Sequence, residues 1–197
     1  MQTSATDVLI VGAGPVGLTT AVVLTQRGHT VTIVDSQAAG ANTSRAAVVH
    51  ARTLDLLAPY GVTAALAARG VHTPTFTFRV RDSVLITVPF DALPTRYPYA
   101  LMVSQADTEA FLLERLEALG GKIMRPATVT RIVQDGRHAT ATFADGQQIR
   151  ARYLIGADGM HSTVREQAAI GFTGGTYAES FVLADVRRSG EVPSDQV

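Results

Sequence analysis

Cysteine is absent from all 197 residues, which excludes disulfides, thiolate metal sites and thiol nucleophiles together. Lysine is nearly absent: Lys122 stands alone against sixteen arginines, and these are scattered, so the imbalance reads as coding bias rather than as a binding surface. Charge of either sign is sparse, at 17% against about 25% in ordinary soluble chains, and 17 basic residues balance 17 acidic ones. No bulk attraction to nucleic acid or anionic membrane follows from such a balance. The start, Met1 to Asp7, has no basic side chain and leads into only a short apolar run, so neither a signal peptide nor a membrane span is expected, and the cytoplasm is the expected location. The five histidines include no pair at helical i, i+4 spacing; no metal site is expected, and no Ser-His-acid arrangement can be singled out. What the chain has is apolar content, 46%, enough for a large core in one domain or in one domain and part of a second.

The continuous apolar run Val8 to Val11 predicts a strand buried on both faces. A helix is predicted from Pro15 to Arg27, stopped by Gly28, and a second strand from Val31 to Val34; together they form a right-handed βαβ unit. Ala46 to Leu57 reads as a helix ended by Pro59 to Gly61, with a further short helix at Val62 to Arg69. Period-two alternation then predicts a hairpin, Thr75 to Val80 and Ser83 to Val88, turning at Arg81 and Asp82. A strand at Ala100 to Val103 precedes a helix that Ser104 caps, with Asp107 three residues on, and that reaches Leu119. Thr128 to Gln134 and His138 to Phe143 form a second hairpin, followed by a third strand near Gln147 to Arg150 and a separate buried strand at Tyr153 to Ala157.

Gly12, Gly14 and Gly17 form GxGxxG between the first strand and its helix, the context a dinucleotide-binding loop requires. Gly12 permits the tight turn, Gly14 lets backbone approach a diphosphate, and Gly17 lets the helix pack closely. The helix start supplies free N–H groups and a partial positive charge for the phosphates. Asp35 ends the second strand, eighteen residues past Gly17, where an acid accepts hydrogen bonds from ribose hydroxyls and repels a 2′-phosphate. The loop therefore predicts NAD or FAD rather than NADP at this position, and does not separate the first two.

A second cluster does separate them. Gly156-Ala157-Asp158-Gly159, followed by Ser162, Val164 and Arg165, resembles the GADGxxSxVR segment of FAD-dependent aromatic hydroxylases, the class A flavoprotein monooxygenases typified by para-hydroxybenzoate and phenol hydroxylases. Ser44-Arg45-Ala46, Arg52-Thr53-Leu54-Asp55 and Gln105 match the same family in the same order, and the likeness spans nearly the whole chain. The resemblance implies an α/β fold: a Rossmann-like FAD-binding domain of the glutathione-reductase type, with a parallel sheet and a β-meander, plus the start of a β-sheet substrate domain. It places the first domain at 1–72 and 100–172, and the partial second one at 73–99 and 173–197. It marks Gly12, Ala13, Gly14, Pro15, Gly17, Asp35, Ser36, Arg45, Ala46, Gln105, Val129, Asp158, Gly159 and Arg165 as the FAD-holding set, with no catalytic residue from the protein. Asp158 and Arg165 inherit a tie to NADPH use. On the residues alone, Arg45 is either a phosphate or ribityl contact or a surface arginine pairing with Asp55, and Gln105 sits at a helix start. Asp158-Gly159 is equally an ordinary turn beneath a capping Ser162.

The implied activity is hydroxylation of a phenolic or polyketide-like ring by an FAD-dependent, NADPH- or NADH-consuming monooxygenase acting through a flavin C4a-hydroperoxide. Molecular oxygen and a small aromatic substrate are the implied partners, with no nucleic acid and no membrane. The family's later Gly-Asp segment is not found in this sequence, Tyr177 to Val186 reads as the first strand of the substrate sheet, and residues 191–197 are polar around Pro193. The expectation is a portion of a larger enzyme that turns over weakly or not at all alone, with a homo-oligomer or a complementing C-terminal chain as partner. A halogenase or reductase on the same framework, or a non-catalytic dinucleotide-binding module, remain the alternatives.

Overall fold

Hydrophobic alternation along the first strand dictates the layering. In the computed structural model, which describes residues 3–40, 48–175 and 178, β1 (Thr3–Val11) sends Val8 and Ile10 into one apolar cluster and Leu9 and Val11 into another. A strand buried on both faces needs cover on both sides. α1 (Pro15–Gln26) follows, then β2 (Val31–Val34), giving the expected βαβ unit with β1 and β2 parallel. The polar start of β1, Thr3 to Thr6, runs past the end of β2 and pairs on its other side alone.

After β2 the chain forms β3 (Val48–Val49), α2 (Ala51–Leu57), a 3-10 turn at Ala58–Tyr60 and α3 (Thr63–Arg69). The helix expected from Ala46 thus begins only at Ala51. Val48 and Val49, a β-branched pair, spend their backbone on a strand instead, while residues 41–47 lie outside the described set. β4 (Val71–Thr73) was not foreseen; it leads into the predicted hairpin, β5 (Thr75–Val80) and β6 (Ser83–Pro89), with Arg81 at φ 52 in its turn. β7 (Ala100–Met102) pairs antiparallel with both β3 and β4, while β5 and β6 form a sheet of their own. α4 (Gln105–Ala118) starts at the predicted Ser104 cap, whose Oγ accepts from the Asp107 N–H at 3.0 Å.

The remaining elements close the main sheet: β8 (Ile123–Met124), β9 (Val129–Gln134), β10 (Ala139–Phe143), β11 (Gln148–Gly156) and the short α5 (Thr163–Gln167). Strand order is β8-β2-β1-β11-β10-β9, parallel from β8 to β11 and antiparallel from there on. The two strands predicted at Gln147 to Arg150 and Tyr153 to Ala157 are a single strand. Its first half closes the meander on β10, up to Ala151, and its whole length pairs with β1, from Gln148 opposite Thr3 to Gly156 opposite Val11. Ala151 and Arg152, between the two predicted stretches, both belong to the strand, and the exposed Arg152 lies just past the last residue paired with β10. β8 was also unforeseen, since two residues carry no periodicity. The predicted strand Tyr177 to Val186 lies outside the described residues.

α1 and α4 cover one face of the parallel strands, where Leu18, Val22, Leu112 and Leu116 meet Val8, Ile10 and Ile33. Meander residues Ala141, Phe143 and Ile149 cover the other, against Leu9, Val11 and Val34. The carboxyl ends of β1, β2 and β11 are left facing one cleft, the usual ligand position in such a sheet. Among the described residues no helix is long and apolar enough to cross a membrane.

Candidate functional site

The cleft is built outward from the end of β1. Gly12 turns with φ +101, its N–H donating to Val34 O at 2.8 Å. A Cβ on Gly12 would lie 2.3 Å from Ala157 O and 2.8 Å from Asp158 N, so glycine here joins the first motif to the second by direct backbone contact. Gly17 is as constrained, for its Cβ would fall 1.9 Å from Gly12 O; the expected close packing is of the helix on the loop carbonyl. Gly14 differs, its nearest neighbour being Glu109 Oε1 at 4.0 Å. Bare backbone at Gly14 therefore faces the opening, as a diphosphate requires.

α1 starts here with Gly14 as its N-cap, Pro15 in the first turn, no capping side chain and no acid in the first turn. Among the described residues its leading N–H groups have no side-chain acceptor, which leaves them available to an anion. Asp35 stands beside this loop at the end of β2. One oxygen accepts from the Ala13 N–H at 2.7 Å and the other from the Gln37 N–H at 2.8 Å, so the carboxylate both fixes the loop and borders the cleft.

The far wall comes from the connection between β8 and β9 and from α4. The Asp35 N–H donates to Met124 O at 3.1 Å, and the Ala127 N–H donates to Asp35 O at 2.7 Å. These two bonds carry Arg125 into the site: Nη2 donates to Ala13 O at 3.1 Å and stands 3.9 Å from Asp35 Oδ2. Val129 lines the same wall. From α4, Gln105 Nε2 donates to Glu109 Oε1 at 2.8 Å, and both side chains border the cleft although Glu109 is only 9% exposed.

The second motif forms the floor. Asp158 accepts from Ser162 Oγ at 2.6 Å and from the Val164 N–H at 3.1 Å, Gly159 turns with φ +80, and Ser162 Oγ caps the Arg165 N–H at 3.0 Å. Both oxygens of Asp158 are thereby engaged in shaping the start of α5. Gly156 permits this approach, since a Cβ there would lie 2.7 Å from Val164 Cβ.

Gly12, Ala13, Gly14, Asp35, Ser36, Gln105, Val129, Asp158 and Gly159 thus border one cavity of about 310 Å³. Pro15 and Gly17 belong to the first turn of α1 behind it. Arg165 is not brought to it: its guanidinium donates to Met160 O at 3.0 Å, lies 4.5 Å over the Phe172 ring and borders a separate cavity beside β11. Arg45 and Ala46 fall outside the described residues. Arg125 and Glu109 escaped the sequence reading. Glu109 had a faint signal, four residues after Gln105 on one helix face; Arg125 had none, because only the pairing of β8 with β2 places it. A bare-backbone cradle, an uncapped helix start and an acid at the next strand end are what an adenine dinucleotide needs, so the residues present fit FAD.

The profile of the FAD binding domain family matches residues 5–194. Among curated proteins the chain is similar to 6-methylpretetramide 4-monooxygenase of Streptomyces rimosus, 39% identical over 96% of this chain and 35% of that protein. It is likewise similar to pentachlorophenol 4-monooxygenase of Sphingobium chlorophenolicum, 33% identical over 91% of this chain and 34% of that one. Of solved structures, p-nitrophenol 4-monooxygenase PnpA from Pseudomonas putida DLL-E4 superposes with a TM-score of 0.84 at 29% identity, over 90% of this chain and 47% of its own. The chain spans about a third of the length of the curated relatives it matches.

Proposed function

From the premise that this chain belongs to the FAD binding domain family, we propose that it is the FAD-holding portion of an NAD(P)H-consuming monooxygenase that hydroxylates an aromatic ring. The observation that carries the reading is the junction of Gly12 with Ala157 and Asp158, which unites the nucleotide loop and the Asp-Gly segment in one cleft. Bound FAD supplies the redox chemistry that passes electrons from a pyridine nucleotide to oxygen.

The chain's own residues bind and orient. In this reading the first turn of α1 and the bare Gly14 would receive the diphosphate, Asp35 and Ser36 the adenosine ribose, Val129 the adenine and Gln105 the flavin. Asp35 keeps one lone pair of each oxygen for a ribose hydroxyl while holding Ala13 and Gln37. Asp158 keeps α5 in place and needs no direct ligand contact. Arg45 and Ala46 are assigned by the family likeness alone, and Arg165 acts from outside the cleft. The hairpin β5–β6 fits the start of a substrate domain: it forms its own two-stranded sheet, and Phe78, Leu85 and Ile86 present apolar surface. The compounds named for the relatives, 6-methylpretetramide, pentachlorophenol and p-nitrophenol, favour a phenolic or polyketide-like ring as substrate class. A cytoplasmic location fits the supply of pyridine nucleotide.

Purified chain mixed with FAD tests this. Yellow protein surviving desalting at one flavin per chain, with FMN washed away, is the expected result; colourless protein that binds NAD instead overturns it in favour of a nucleotide-sensing module. In a full-length protein containing this portion, NAD(P)H consumption coupled to ring hydroxylation separates a monooxygenase from a halogenase or reductase.

A further inference from the structure

We propose that Arg125 is the positioning residue that makes an acid-lined cleft acceptable to a dinucleotide, by offsetting Asp35 and fixing the carbonyl of Ala13; this rests on the FAD reading above. The charge balance of the cleft poses the problem. Asp35, Glu109 and Asp158 all border it, and among the described residues Arg125 is the one arginine or lysine that does. A diphosphate adds two more negative charges to this space. Asp158 is held by two donors, and Glu109 by Gln105. Asp35 is held by two neutral backbone N–H groups, and its only cationic neighbour among the described residues is Arg125 at 3.9 Å.

Burial strengthens that pairing. The side chains of Arg125 and Asp35 are 13% and 17% exposed, so solvent screens their attraction little. The guanidinium is also under-used: Nη2 makes its one hydrogen bond among the described residues, to Ala13 O, and buried Nε has none. A guanidinium offers five donors. An incoming ribose or phosphate oxygen beside Asp35 completes that shell, which ties Arg125 to the adenosine end of the ligand rather than to the flavin ring.

The test measures binding of FAD and of ADP to the chain and to Arg125→Met, Arg125→Lys and Asp35→Asn/Arg125→Met, with circular dichroism and thermal melts for folding. Arg125→Met is expected to weaken FAD and ADP alike by about tenfold or more, since it leaves the half-buried Asp35 carboxylate without its cationic neighbour beside the incoming phosphates. Arg125→Lys keeps the charge and is expected to stay within about threefold of the parent, because no bidentate pairing is lost. Adding Asp35→Asn to Arg125→Met is expected to recover at least about threefold, as coupled neighbours do. Folded Arg125→Met that binds ADP like the parent overturns the proposal, as does Arg125→Lys no better than Arg125→Met, or a double variant with no recovery. If Arg125→Met does not fold, Arg125→Lys carries the decision: binding more than about tenfold weaker in a folded protein overturns it. A parent chain that binds neither FAD nor ADP sinks the FAD reading itself, which is a different failure.

Discussion

Of the helix starts that border the cleft, those of α1 and α5 are treated in opposite ways. α5 is closed from within: Ser162 accepts from the Arg165 N–H, and Asp158 holds both the Ser162 hydroxyl and the Val164 N–H. α1 begins at Gly14 with no side chain among the described residues bound to its leading N–H groups and no acid in its first turn. A cap stabilises a helix by about 1 kcal/mol, so leaving α1 bare has a cost in the ligand-free chain. The difference assigns roles: donors satisfied internally build the wall, and donors left over receive the ligand.

The largest expected effect comes from breaking the contact between the two motifs. Gly12→Ala forces a methyl against Ala157 O at a positive φ, and urea unfolding should register a loss of about 4 kcal/mol or no folded protein at all. Next, Asp158→Ala removes the acceptor of two part-buried donors; stability should fall by about 1–2 kcal/mol, with FAD affinity in the surviving folded protein changing less than stability does. Gly14→Ala is the converse case. Its Cβ meets nothing closer than 4.0 Å, so melting should barely shift, while FAD binding followed by fluorescence weakens about tenfold as the methyl displaces a charge-assisted hydrogen bond. Equal stability losses at Gly12 and Gly14 would erase the distinction drawn between them. Ser104→Ala should cost about 1 kcal/mol through its lost cap of α4, and FAD binding should weaken less than in Gly14→Ala, since the cap only supports the turn that carries Gln105.

The smallest effect lies in the β9–β10 turn. Backbone N–H groups of Arg137 and His138 bind the exposed Asp135 carboxylate at 3.0 and 2.8 Å and hold it below the usual carboxylate range. A depressed folded-state value contributes stability above the ordinary value of 3.8, and that contribution disappears as pH falls through the folded one. Melting temperatures of the parent and Asp135→Asn should therefore differ slightly at neutral pH and converge in strong acid.

Most of this was legible in advance where one local rule dominated. The βαβ unit, the β5–β6 hairpin, the Ser104 cap and the Ser162 cap rest on periodicity, turn chemistry and short-range hydrogen bonds. Failures occurred where long-range pairing decides. Ala151 and Arg152 look like a break in sequence because an exposed arginine interrupts the apolar run, whereas pairing with β1 on both sides of it makes one strand. β3, β4 and β8 are too short to show a period and exist through their partners. Arg125 entered the site by the same route, and the ordinary Arg-Pro-Ala context gave no hint of it.

The continuity of β11 makes the cleft sensitive to errors made far from it. Nine strand residues span about 30 Å, and they link the meander at one end rigidly to the Gly12 contact at the other. A slip of one residue against β10 would turn Ile149 and Ala151 out of their core and drag Ala157 away from the glycine turn together. The meander's ladder and the nucleotide seat therefore share one register, so that a chain misaligned at β10 forfeits core and cradle alike.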